Sequence, residues 1–461
     1  MKRDLMKMIF FSLVASLFFI AKPAKADHWI KAYGLDSYDE FNSIIKIDNG
    51  YITAGRAGNN AWIMKLNEEG SIDWQKSYSG TPNPGFGFNS IIKTDDGYVA
   101  AGMIHFAVDE PDGWIIKIDE YGDIVWQKIY TDGHSIKSII KTVDGYVAAG
   151  STSGNDDGWI IKINENGTIA WQKRYGGGNY DGIYSIIKTN NGYVAAGYTR
   201  SFGANSADAW IIKLNENGTI AWQKRYGGDE DDWITSITKT DDGYVAAGYT
   251  ESFGAGEDYD AWIIKLDENG NIVWQYRYGG DKKDRINSII KTDDGYLAAG
   301  KINSTMIEGG DAWIMKLNEE GDIIWQKRYG GDNEDEINSI IKTDNGYGAA
   351  GRTGPAMSEE GRPDGFVLNL DQDGNVNDCE IIQTSHAEKY PTTAQTNNIV
   401  QDSVDLDVNH VSDSDATISD PDINIYTICK SVSTVAVPLF GPFGYLVLIT
   451  LLGFFGYRKS R

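Results

Sequence analysis

Five aspartates, Asp39, Asp181, Asp232, Asp284 and Asp335, each stand four residues ahead of a serine in otherwise similar stretches of this 461-residue chain. Carboxylates repeated at one position suit three chemistries: a cation site, the acids of a hydrolase or lyase, or a turn fastened by accepting N–H bonds. Three residues beyond each of the seven serines comes a lysine: Lys46, Lys93, Lys141, Lys188, Lys239, Lys291 and Lys342. A ring of seven cations would suit an anion. Repetition argues against specialised chemistry in both series, because a residue that recurs from unit to unit usually builds the unit. Turn fastening is the leading reading for the aspartates. A hydrolase or lyase with Asp181, Asp232, Asp284 and Asp335 at a channel mouth is the alternative.

Other reactive residue types give little. The five histidines, at 28, 105, 134, 386 and 410, show no metal-ligand spacing, and no Gly-x-Ser-x-Gly nucleophile motif occurs. "DQDGNVND" (Asp371 to Asp378) has the look of a calcium loop, but its glycine is fourth where such a loop wants it sixth. No metal and no cofactor are expected. Cys379 and Cys429 are the only cysteines, and in an exported chain two cysteines are read as joined.

The residues that differ from unit to unit carry more information. Two sets of links, after "AAG" and after "YGG", vary in length and bear Phe106, Phe202, Phe253 and Tyr259 in one set and Phe86, His134, Tyr180 and Trp233 in the other. Recognition usually sits on such loops over a rigid frame. The candidate ligand-binding residues are therefore Trp233, Tyr259, Phe253, Phe202 and Tyr180, with Asp232, Asp284 and Asp335 as neighbouring acceptors. Aromatic faces beside carboxylates suit a carbohydrate or a protein partner.

The frame that must position them is a repeat. The tryptophan of "WQKRYGG" recurs at Trp29, Trp74, Trp126, Trp171, Trp222, Trp274 and Trp325, at intervals of 45 to 52 residues. A second series runs Trp62, Trp114, Trp159, Trp210, Trp262 and Trp313, with Phe366 in seventh place. Each unit holds four short runs rich in Ile, Val, Tyr and Trp, with period two and Asn-Gly, Asp-Gly or Gly-Gly between them. Four antiparallel strands repeated seven times predict an all-β chain, a seven-bladed β-propeller spanning residues 27–382. Small residues put "SIIK" and "GYVAAG" near the axis, and tryptophans put "AWIIKL" and "AWQKRY" at the rim. The opening "HWIKAYG" is an outermost strand without a blade, so Trp29 to Tyr33 is expected to complete the seventh blade; a strand from Val376 to Ile382 in that place is the alternative.

A glycine lies four residues before the rim tryptophan at Gly70/Trp74, Gly122/Trp126, Gly167/Trp171, Gly218/Trp222, Gly270/Trp274 and Gly321/Trp325. With the strand layout, this resembles the tryptophan-docking repeats of the pyrroloquinoline-quinone-type propeller superfamily, over roughly residues 28 to 382. The resemblance implies the fold more than an activity. Quinoprotein dehydrogenases have an adjacent cysteine pair near the cofactor, and its absence here argues against a quinone.

The ends read as targeting signals. Residues 1–26, with Lys2, Arg3 and Lys7 before an apolar run and Ala24-Lys25-Ala26 after it, predict a signal peptide; a retained anchor is the alternative. Residues 383–434, acidic and rich in Ser, Thr and Asp, read as a stalk or a loosely ordered, strand-forming spacer. Residues 435–461 hold an uncharged run long enough to span a bilayer, followed by Arg458, Lys459 and Arg461. "VPLFGPFG" before that span resembles the bacterial sorting tails of the IPTL-CTERM and PEP-CTERM kind, without their usual spellings, so processing and plain anchoring both stay open. A net charge of −24 opposes a nucleic-acid partner. The expected protein is thus an exported, anchored, non-catalytic binding or structural propeller.

Overall fold

The computed structural model describes residues 28–430, apart from breaks at 35–36, 80–84, 106–110, 153–156, 203–204, 255–257, 305–306, 331–332 and 355–361 and several between 377 and 423. The signal-peptide and membrane-tail expectations fall on residues outside that range. Among the described residues no helix is long and apolar enough to cross a membrane.

Seven antiparallel sheets form a seven-bladed β-propeller. Blades 1 to 6 contribute residues 39–79, 85–130, 133–175, 181–227, 232–279 and 285–329. Blade 7 takes three strands from 336–371 and its fourth from Trp29–Gly34, which pairs with Asp364–Asp371 in the register Trp29↔Asn369 to Tyr33↔Gly365. The N-terminal strand therefore closes the ring, as the orphan "HWIKAYG" implied. Closure hides the edge of blade 7 and buries Trp29 and Tyr33 completely.

The recurring residues are the joints between blades. Each inner-strand serine accepts the backbone N–H of an isoleucine in the next blade, as in Ile91 N to Ser43 Oγ at 3.2 Å, and Ile44 N to Ser339 Oγ at 3.3 Å completes the circle of seven. At the rim, the tyrosine that ends each outer strand donates its hydroxyl to the hairpin glycine carbonyl of the following blade, from Tyr33 to Gly70 O at 2.8 Å round to Tyr329 to Gly374 O at 2.8 Å. That hairpin glycine has positive φ, +70° at Gly70, and a Cβ there would run into the Trp29 ring. Only glycine meets both demands. Trp62, Trp114, Trp159, Trp210, Trp262 and Trp313 fill the wide spaces between blades at 0 to 1% exposure.

In the segment read as a stalk or a loosely ordered, strand-forming spacer, the described residues form short strands along the rim. Short strands at Ile382–Thr384, Glu388–Pro391, Gln395–Asn398, Val404–Asp405, Val411–Asp413 and Thr417–Ser419 add a fifth strand to blades 6, 5, 4, 3, 2 and 1 in turn. Asn424–Lys430 then pairs with Trp29–Gly34 on blade 7. The belt makes one circuit against the order of the blades. Its polar composition is no obstacle, because backbone bonds to the exposed edges need no apolar face. Two cations seat it: Lys389 lies 3.5 Å from the Tyr276 ring centroid and 2.7 Å from Asp322, and Arg277 lies over Tyr390 at 4.0 Å.

Candidate ligand site at one mouth of the channel

The five aspartates open the inner strands and are buried, at 0% exposure except Asp335 at 2%. Asp232 accepts from Gly228 N at 2.9 Å, Ser252 Oγ at 2.6 Å and Thr250 Oγ1. Asp181 takes Gly177 N at 2.9 Å, Ser201 Oγ at 2.8 Å and Thr199 Oγ1. Asp284 takes Gly280 N at 2.9 Å and Asn303 N at 2.8 Å, and Asp335 takes Thr353 Oγ1 at 2.6 Å. Each clasps the two loops that meet at its end of the ring. Burial lifts the carboxyl of Asp232 to about 6 and that of Asp284 to about 7. Among the described residues no cluster of three metal-ligating side chains occurs.

A second aspartate stands beside each: Asp157, Asp208, Asp260, Asp311 and Asp364, with a glycine between the two carboxylates where a Cβ would collide with both. Four of these are paired with an arginine of the next strand, Arg174 at 3.0 Å from Asp157, Arg328 at 3.3 Å from Asp311, and Arg225 and Arg277 in contact with Asp208 and Asp260. Asp364 has none, because the N-terminal strand carries Ala32 at the arginine position.

The lysine series lies at the opposite end of the ring and is largely taken up by neighbours. Lys93 pairs with Asp48 at 3.1 Å, Lys141 with Asp95 at 2.9 Å and Lys342 with Asp293 at 2.6 Å, each across to the preceding blade's turn. Lys46 pairs with Glu68 at 2.6 Å, and Lys291 with Glu319.

What distinguishes one blade from another gathers at the end where the aspartates stand. Trp233 stacks on Tyr198 at 3.9 Å between centroids and lies parallel to Tyr249 at 5.9 Å. Tyr184 approaches Trp233 at 5.8 Å, and Tyr259 reaches Tyr249 at 4.8 Å. Two of the loop aromatics singled out in the sequence, Trp233 and Tyr259, are thus joined in one cluster. Phe202 and Phe253 turn inward onto Trp210 and Trp262, each at 6.0 Å, and Tyr180 is exposed apart from the cluster. Phe106 and the side chain of Phe86 lie outside the described residues. Tyr184, Tyr198 and Tyr249 were not anticipated, because they sit inside strands and read as core. Position-by-position comparison of the repeats would have found them.

Beside the aromatics, blades 6, 7 and 1 present charges. Arg285 contacts Glu336 at 2.5 Å and bonds the Tyr259 hydroxyl; Arg352 spans Glu334 at 2.6 Å and Glu336 at 3.1 Å; Lys301 meets Glu334 at 2.8 Å; and Arg56 meets Glu40 at 2.9 Å. The Glu336 carboxyl is held below its ordinary range, Arg285 outweighing the cost of burial. One mouth of the channel is therefore half aromatic and half ionic, on a frame that otherwise repeats. No protein-family model matches the chain, and no curated protein matches it.

Proposed function

We propose that this chain is an exported, surface- or membrane-anchored propeller that binds a carbohydrate or protein partner at the Trp233 end of its ring and catalyses no reaction. The observation that carries the reading is the asymmetry of aromatic residues at one end of the ring. Blades that share their serine circle and their tyrosine–glycine joints diverge at that mouth, where five aromatic rings are in mutual contact. Divergence on a uniform frame is expected where a ligand is read. No observation favours the hydrolase or lyase, since Asp181, Asp232, Asp284 and Asp335 are buried beneath the loops they clasp.

Export rests on the basic, apolar and small-residue order of residues 1–26, and anchoring on the uncharged run before Arg458. Kinship with the pyrroloquinoline-quinone-type propellers, without their chemistry, is supported by the glycine-on-tryptophan docking repeated round the rim. A disulfide from Cys379 to Cys429 is part of the proposal. Its support is that Cys429 stands opposite Ile30 in the strand register, and that Cys379 packs against the core cluster containing Ile30.

The test is a paired substitution on a ligand captured from glycan arrays or surface extracts. Trp233→Ala with Tyr259→Ala weakens binding at least tenfold with the fold intact, whereas Glu216→Ala with Asn217→Ala, at the opposite end, has little effect. The reverse pattern contradicts the proposal.

A further inference from the structure

The residue just before each inner serine makes a second circle of inter-blade bonds, and it is incomplete. Asn42 donates to Phe88 O at 2.9 Å, Asn89 to Ile136 O at 2.7 Å, Thr235 to Ile286 O at 2.6 Å, Asn287 to Ile337 O at 2.9 Å and Asn338 to Phe41 O at 3.0 Å. In blades 3 and 4 the position holds Lys137 and Tyr184, and neither makes that bond. Five blades satisfy themselves; two adjacent ones do not.

At this gap two polar groups have no hydrogen-bond partner among the described residues, and the ring of one of them, Tyr184, lies 5.8 Å from that of Trp233. They are the Lys137 ammonium and the Tyr184 hydroxyl, from the adjacent blades 3 and 4. Both can donate. Burial lowers the pKa of Lys137, and the one acid that opposes the shift, Glu40, is already engaged by Arg56 at 2.9 Å and by the Tyr38 hydroxyl at 3.3 Å. Lys137 thus makes no ion pair among the described residues, in a chain of net charge −24. Buried donors left unmatched cost stability unless something accepts from them.

We propose that this gap is a subsite for the carboxylate of an acidic sugar, with Lys137 as counter-ion, Tyr184 as donor, and the Tyr198–Trp233–Tyr249 stack as the platform for the sugar ring. A carboxylate accepts several hydrogen bonds at once, and charge-assisted bonds are the stronger kind. Aromatic faces pack against the apolar face of a pyranose. The inference rests on the ligand-binding reading above and narrows it to one chemical class.

Trigalacturonate and its methyl ester, titrated calorimetrically into the purified full-length chain at pH 7, test it. The acid binds at least tenfold more tightly than the ester. Lys137→Gln removes that preference while leaving ester affinity and melting temperature unchanged, and Lys137→Arg retains part of it. Trp233→Ala weakens acid and ester together. Equal affinity for acid and ester, or a preference that survives Lys137→Gln, overturns the subsite. So does Lys137-dependent binding of an acidic peptide with no binding of either saccharide. If neither saccharide binds while a captured ligand still depends on Trp233 and Tyr259, the subsite fails and the binding function stands.

Discussion

Asp364 shows what a single missing residue does. Its counterparts in four other gaps meet an arginine as well as a neighbouring aspartate, but here the strand supplies Ala32, so the carboxyl faces Asp39 without that arginine and one of its oxygens has no partner among the described residues. Burial, with the Asp39 charge adding to it, raises the Asp364 pKa to about 6. A carboxyl raised in the folded state favours the fold fully below its unfolded pKa, near 4, and loses that contribution as pH climbs through about 6. Asp232 and Asp284 act in the same direction. The melting temperature should therefore be higher at pH 5 than at pH 8. Asp364→Asn should raise stability at pH 8 by about 1 kcal/mol and leave it unchanged at pH 4, as read by thermal melts across that range. A variant less stable at pH 8 would show that the charge is compensated. None of this is legible in one repeat: Asp364 looks like its counterparts until the strand beside it is known.

At the scale of the element, strands were legible because period-two patterning and glycine turns act locally, and ring closure because "HWIKAYG" repeats a rim strand. The course of the belt was not, since six of its seven strands have only two to four residues, too few to show apolar alternation. Half-buried residues inside the repeats, such as Tyr184 and Tyr198, were hidden for a related reason: their type suits core and site equally. Deleting residues 28–34 removes two fully buried aromatics and the strand on which both the seventh blade and the end of the belt pair. It should cost several kcal/mol in denaturant melts. An unchanged midpoint would mean that another segment closes the ring.

For the whole molecule, the belt covers the outer edge of every blade. A chain lacking residues 382–430 presents seven bare edges and should self-associate in light scattering where the intact chain does not; a monomer of unchanged stability would make the belt dispensable. That covered rim leaves the two ends of the ring as the places where a partner can read differences among blades, and the central claim is that the Trp233 end is the one used. Hydrogen exchange with and without a captured ligand tests it most directly. Protection is predicted across 181–184, 198–202, 231–235 and 249–259, with none at the opposite hairpins 67–71, 119–123 and 215–219. Protection at those hairpins, with the Trp233 end exchanging freely, would contradict the account.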